Sequence, residues 1–121
     1  MGEECNIAKI NNLNRGRVLA DRVMFADTFY SRLRGLAFQS TMGYGECLII
    51  YPCKMIHTFG MRFPLDIVFI SKSNIIVKLI ENLPINRITP LVLSASKVLE
   101  LPAGTIRRTD TSLGDHLKIR M

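Results

Sequence analysis

The sequence predicts a mainly β fold, a compact β-sandwich or partly closed barrel with one short helix near residues 28–35. Short runs rich in Ile, Val and Leu recur from Ile7 to Ile119 with Gly, Pro, Asn or Ser between them, the pattern of many short strands joined by turns. One segment alone carries both a helix start and a helix stop. The chain has 121 residues, 48% hydrophobic and 21% charged. That suffices for a core without disulfide staples, since a chain of this size buries roughly two-thirds of its unfolded surface. No repeat, low-complexity tract or Gly/Ser linker interrupts it, so residues 1–121 are expected to form a single domain, with 1–14 as its partly flexible start.

The elements follow in order. After the Asn14-Arg15-Gly16 turn, Arg17 to Phe25 reads as a strand. Asp27 or Thr28 can cap a helix over Phe29 to Arg34, and Gly35 behind the cations Arg32 and Arg34 marks its end. Met42 to Gly45 is a loop, and Glu46 to Tyr51 a buried strand ended by Pro52. Met55 to Phe59 is expected to begin another strand. Asp66–Ile70 and Ile75–Ile80 form a hairpin across the polar connection Ser71-Lys72-Ser73-Asn74. Pro84 and Pro90 bracket an irregular segment. Val98 to Leu101 is a strand closed by a type I turn at Pro102-Ala103-Gly104. Thr105 to Thr109 is a short candidate strand, and Gly114-Asp115 turns the chain into a last strand, His116 to Arg120, with one wet face.

Composition narrows the function classes. The longest apolar stretch, Leu65 to Ile70, is interrupted by Asp66 and is far too short to span a bilayer, so no membrane partner is expected. Met1 to Asn6 has neither the basic start nor the apolar stretch of an export signal. Three cysteines, Cys5, Cys47 and Cys53, are an odd set that suits reduced thiols, and cytoplasmic residence is the expectation. The net charge of +6 owes more to arginine than to lysine and permits anionic partners.

Three stretches carry a family resemblance: Ser31-Arg32-Leu33-Arg34-Gly35-Leu36, the long motif from Ile56-His57-Thr58-Phe59-Gly60 through Arg62-Phe63-Pro64-Leu65-Asp66 to Phe69, and Val98-Leu99-Glu100-Leu101-Pro102-Ala103-Gly104, with Gly114-Asp115 as a fourth match. Together, and in this order, they resemble the domain of unknown function 192 family. The resemblance implies a compact β-rich domain, found alone in bacteria and archaea and sometimes behind an export signal, with no agreed activity. The chain departs from the usual family form at Ala37, where a methionine is common, a difference that bears on packing.

Within the central motif, polar groups concentrate where apolar residues otherwise dominate. Asp66 enters an apolar strand, where an unpaired carboxylate would be costly. Arg62, Arg34 or backbone N–H groups are the expected compensation, and a structural role outweighs a ligand role. His57-Thr58 beside Gly60 brings a titratable ring and a hydroxyl to backbone open to close approach, although a lone His is more often a satisfied structural group. Arg34, His57, Thr58, Arg62 and Asp66 are therefore the candidate ligand-binding residues, for a small anionic or polyhydroxyl ligand. The leading expectation is a non-catalytic binding or accessory domain, with no cofactor.

Three alternatives stand against it. A hydrolase using His57 with Cys53 or Asp66 requires their polar atoms to converge, and core packing is the commoner use of such a Cys. A zinc site from Cys47, Cys53, His57 and Cys5 has suitable ligands but poor spacing. A nucleic-acid or protein interaction module would need Arg15, Arg17, Arg32, Arg34, Arg107 and Arg108 on one face. No stacking platform accompanies them, so nucleic acid is the less favoured partner. Glu100, alternating with Leu99 and Leu101, is expected to face water.

Overall fold

The computed structural model describes residues 5–6, 8–26 and 42–120, so the helix expected near 28–35, with Arg32 and Arg34, lies outside the described residues. In chain order the elements are β1 (Cys5–Asn6), β2 (Lys9–Asn12), β3 (Arg17–Ala26), β4 (Gly45–Ile50), β5 (Leu65–Ile70), β6 (Ile76–Leu83), β7 (Lys97–Pro102), α1 (Thr105–Arg108) and β8 (Leu117–Arg120). The sheet starts earlier than the sequence indicates, because β1 and β2 both pair with β3.

The strands form one mixed sheet in the order β6-β5-β7-β4-β3-β2-β8, with β1 also on β3. Among the described residues only the β3–β4 pair is parallel. No β6–β8 ladder closes the sheet, but its two ends meet at one corner. Ile75 bridges His116, and the Ile76 and Leu117 amides donate to the Asp115 and Asn74 carbonyls, each at 2.9 Å. The result is a mainly β fold whose sheet is not closed, its ends touching at that corner. Asp115 holds that corner: one carboxylate oxygen accepts from Asn12 Nδ2 at 2.9 Å, Arg15 Nε at 3.0 Å and the Ser112 amide at 2.9 Å. Burial alone would raise the Asp115 carboxyl, but the donors from Arg15, Asn12 and Ser112, with the Arg15 charge, outweigh it and hold the group below its ordinary range.

Both faces of the central strands are buried. Val68 and Ile70 of β5, Cys47 and Ile49 of β4 and Leu99 and Leu101 of β7 join Ile10, Leu19 and Val23 in an inner core. The alternate residues Leu65, Ile67, Phe69, Leu48, Ile50 and Val98 face an outer core closed by Ile56, Met61 and Ala95 from the loops. This explains why β5 is buried at every residue and reads as a continuous apolar run rather than an alternating one.

Two expected strands are corrected. Met55 to Phe59 is a loop that touches the ladder system only through an isolated bridge from His57 to Ile88, since Pro52 and Pro64 bracket it and limit regular pairing. Thr105 to Arg108 is a helical turn, α1, and not a strand. Gly104 adopts φ 96, a left-handed conformation that ends β7 and suits glycine. Thr105, Ile106 and Thr109 are then buried while Arg107 and Arg108 are exposed, the periodicity of a helix.

Candidate binding face

The central motif divides at Pro64. Residues 65–70 dive into the sheet as β5, while 51–64 cross the outer core as a loop beside a second loop, 84–96. Thr58 joins the two. Its side chain is fully buried; Oγ1 donates to the Pro84 carbonyl at 2.8 Å and accepts from the Arg87 amide at 2.9 Å. Its backbone amide donates to Arg87 O at 2.8 Å, and its carbonyl accepts from the Asn86 amide at 3.1 Å. Further along, the Thr89 and Val92 amides donate to Ile56 O and Lys54 O, each at 2.9 Å, and the Ile56 amide donates to Thr89 Oγ1 at 3.0 Å. The Lys54 ammonium also reaches the Leu93 and Ala95 carbonyls at 2.9 and 2.6 Å. Two irregular segments thus become one ordered platform, their backbone polar groups satisfied by each other.

What the platform displays is apolar and cationic. Met55, Phe59, Ile85, Ile88, Leu91 and Leu93 are all exposed, Leu93 at 75%. Arg62 and Arg87 are exposed among them, and residues 51–64 and 84–96 contain no Asp or Glu. Arg87 Nη1 is 3.4 and 3.3 Å from the carbonyls of Ile85 and Asn86, contacts that leave its charge uncompensated. The His57 ring is half-buried, with its centroid 5.0 Å from that of Phe59. Its Nδ1 accepts the Phe59 amide at 3.1 Å, so Nε2 carries the proton when the ring is neutral. Sequence reasoning missed Ile85, Arg87, Ile88, Leu91 and Leu93. Their signal was apolar residues between Pro84 and Pro90 and beyond without a strand pattern.

Asp66 lies on the other side of the sheet. It pairs with Leu101 and shares the inner face with Val68, while Ile56 and Met61 of the His57 loop pack on the outer face. Its carboxylate is fully buried. One oxygen accepts the Asn82 amide at 2.8 Å, and the other accepts Gly104 and Ile106 at 3.1 and 2.8 Å, so Asp66 organises the start of α1. Of the five sequence-predicted ligand residues, the structure thus brings His57, Thr58 and Arg62 together on one loop. Thr58 is spent on scaffolding, Asp66 is on the opposite face, and Arg34 is outside the described residues.

The same separation bears on the rival chemistries. The Asp66 oxygens are engaged by backbone amides, and the Cys53 thiol donates to Met55 O at 3.2 Å, so a nucleophile, base and orienter drawn from Cys53, His57 and Asp66 is not assembled. Cys47 packs in the inner core and Cys53 against the outer one, which parts the proposed zinc ligands. Burial pushes the Cys47 thiol well above its ordinary range, and the Glu100 charge adds to the shift, the opposite of what a thiolate ligand or nucleophile needs. Glu100 does not face water: it is fully buried, beside Leu48 and Ile67 in the ladder. Its alternation with Leu99 and Leu101 holds, but the face it turns to is covered by the platform. Among the arginines, Arg15 pairs with Asp115 and Asp110, and Arg22 with Asp21.

The family model described as "Uncharacterized ACR", of the domain of unknown function 192 family, matches residues 10–119. The chain belongs to that family. A "UPF0127 protein" of Thermococcus sibiricus is 31% identical over 111 residues, covering 88% of this chain and 71% of that protein. One from Thermococcus gammatolerans is 32% identical over the same shares. A crystal structure of a protein of unknown function from Novosphingobium aromaticivorans matches with a TM-score of 0.79 at 21% identity, over 94% of this chain and 84% of that one. A candidate transcription regulator from Sinorhizobium meliloti matches with a TM-score of 0.74 at 26% identity, over 96% and 92%. The two solved structures thus share the fold of this chain. No helix among the described residues is long and apolar enough to cross a membrane.

Proposed function

We propose that this member of the domain of unknown function 192 family is a non-catalytic binding or accessory domain, and that its recognition face is the platform of residues 51–64 and 84–96. The observation that carries this is the pairing of order with unspent charge: the loops are locked by Thr58 and Thr89, yet Arg62 and Arg87 lie among exposed apolar residues with no carboxylate in either loop. A preorganised cationic surface of this kind suits an anionic ligand with an apolar part. The absence of carboxylates, which would accept from hydroxyl groups, favours the small anionic ligand over the polyhydroxyl one. His57 and Arg62 are the anion-contacting groups. The cytoplasm is the setting that fits a buried, reduced thiol such as that of Cys47.

A thermal-shift screen of wild type and His57→Ala against small organic anions, nucleotides, sugars and metals tests the reading, since a ligand bound by the native state alone raises its melting temperature. An anion that stabilises wild type but not the folded variant is the expected result. Stabilisation by neutral sugars alone, or equal stabilisation of both proteins, would contradict it. The likeness to a candidate transcription regulator gives the nucleic-acid reading some standing, but the pairing of Arg15 and Arg22 with carboxylates leaves it second.

A further inference from the structure

At the edge of the platform, a groove of about 310 Å³ lies between Tyr51–Lys54, Ala95–Ser96 and Lys72 of the β5–β6 turn. Two lysines line it, Lys54 and Lys72, and a third, Lys97, stands against its Tyr51 wall. Lys54 uses two of its three N–H donors on Leu93 O and Ala95 O, so one remains for a ligand. Lys72 is exposed at the rim. The Lys97 ammonium sits 5.2 Å from the centroid of the Tyr51 ring and contacts Asn74 Oδ1 at 3.2 Å. Among the described residues no carboxylate lines the groove.

A second, independent observation comes from Ser96. It is 8% exposed, and its Oγ has no hydrogen-bond partner, although its backbone is held at both ends, by Ile70 O at 2.8 Å and the Cys53 amide at 3.0 Å. Buried hydroxyls are ordinarily paired. Ser96 lines the groove, so an acceptor oxygen bound there would complete this one once the hydroxyl turns toward it.

We propose that this groove is a binding site for the phosphate group of a small organic anion, with Lys54, Lys72 and Ser96 as its contacts and the Tyr51 ring as an apolar wall for the rest of the molecule. Several ammonium groups around one hydroxyl match an oxyanion with more than one charge better than a single carboxylate. The site is separate from the His57–Arg62 face and does not depend on it.

Phosphorus NMR titrations of inorganic phosphate and of phenyl phosphate, with the full chain at constant ionic strength, test it. Both probes are expected to show saturable shifts with wild type, with phenyl phosphate the tighter because Tyr51 contacts its ring. Lys72→Glu, an exposed turn substitution, should weaken both by about tenfold or more, and Ser96→Ala by about threefold to tenfold. Arg107→Ala, an exposed substitution on α1 near the opposite end of β5, should leave both unchanged. Equal affinities of the two probes would overturn the role of Tyr51. No saturable shift, or a shift that survives Lys72→Glu, would overturn the site. If Arg62→Ala abolished binding and Lys72→Glu did not, the anion would sit on the platform, refuting the groove while leaving the proposed function standing.

Discussion

The two halves of the central motif put similar polar residues to opposite uses. In the strand half, Asp66 is sealed under the sheet and its oxygens are consumed by the Asn82, Gly104 and Ile106 amides. In the loop half, Thr58 is equally buried, but it locks a platform that holds His57, Phe59 and Arg62 at the surface. A run that is uniformly rich in polar groups as a sequence is therefore two things as a structure: a fastening for α1, then a displayed surface. The side of the sheet on which each residue falls decides which.

Breaking the strand half should have the largest effect. Asp66→Ala orphans three amides, that of Ile106 buried and those of Asn82 and Gly104 partly so, and urea unfolding should show a loss of about 3 kcal/mol or more, since hydrogen bonds to a charged acceptor are the strong ones. A loss near zero would mean that α1 does not depend on the carboxylate. Thr58→Val keeps the shape of the side chain but strips the Pro84 and Arg87 bonds. It should cost about 1–2 kcal/mol and, unlike Asp66→Ala, speed amide exchange at Asn86 and Thr89 while sparing Ile106.

The corner held by Asp115 calibrates the contrast through pH. The Asp115 carboxyl is held below its ordinary range in the folded state, so its contribution is present above the unfolded-state value and is lost as pH falls through the folded one. Unfolding midpoints measured on acidification should fall less for Asp115→Asn than for wild type. Smallest of all should be Arg62→Ala in stability, within about 0.5 kcal/mol as for most exposed substitutions, while its effect on anion binding is large. A variant that instead unfolds would move Arg62 into the architectural half.

Much of the fold was legible because β-branched runs and turn residues are local signals. The hairpin of β5 and β6, the strands β3, β4, β7 and β8, and the one-sided wetness of β8 follow from them. Thr105 to Thr109 misled because five residues are too few to separate a period of two from one helical turn, and the Asp66 carboxylate that fastens the turn is far away in sequence. Glu100 misled for a related reason: alternation identifies a strand's two sides, but whether a loop covers one of them is tertiary information. The candidate site was legible in part. Polar density singled out His57 and Arg62, whereas Arg87 and the apolar residues around it became visible only once Thr58 had brought the two loops together.

Amide NMR mapping of the first anion found to stabilise the protein tests the division of the motif most directly. The account predicts that signals of residues 55–62 and 85–93 move with a common dissociation constant while those of 65–70 and 104–108 stay in place. Movement centred on Asp66, Gly104 and Ile106, with the platform unaffected, would contradict it.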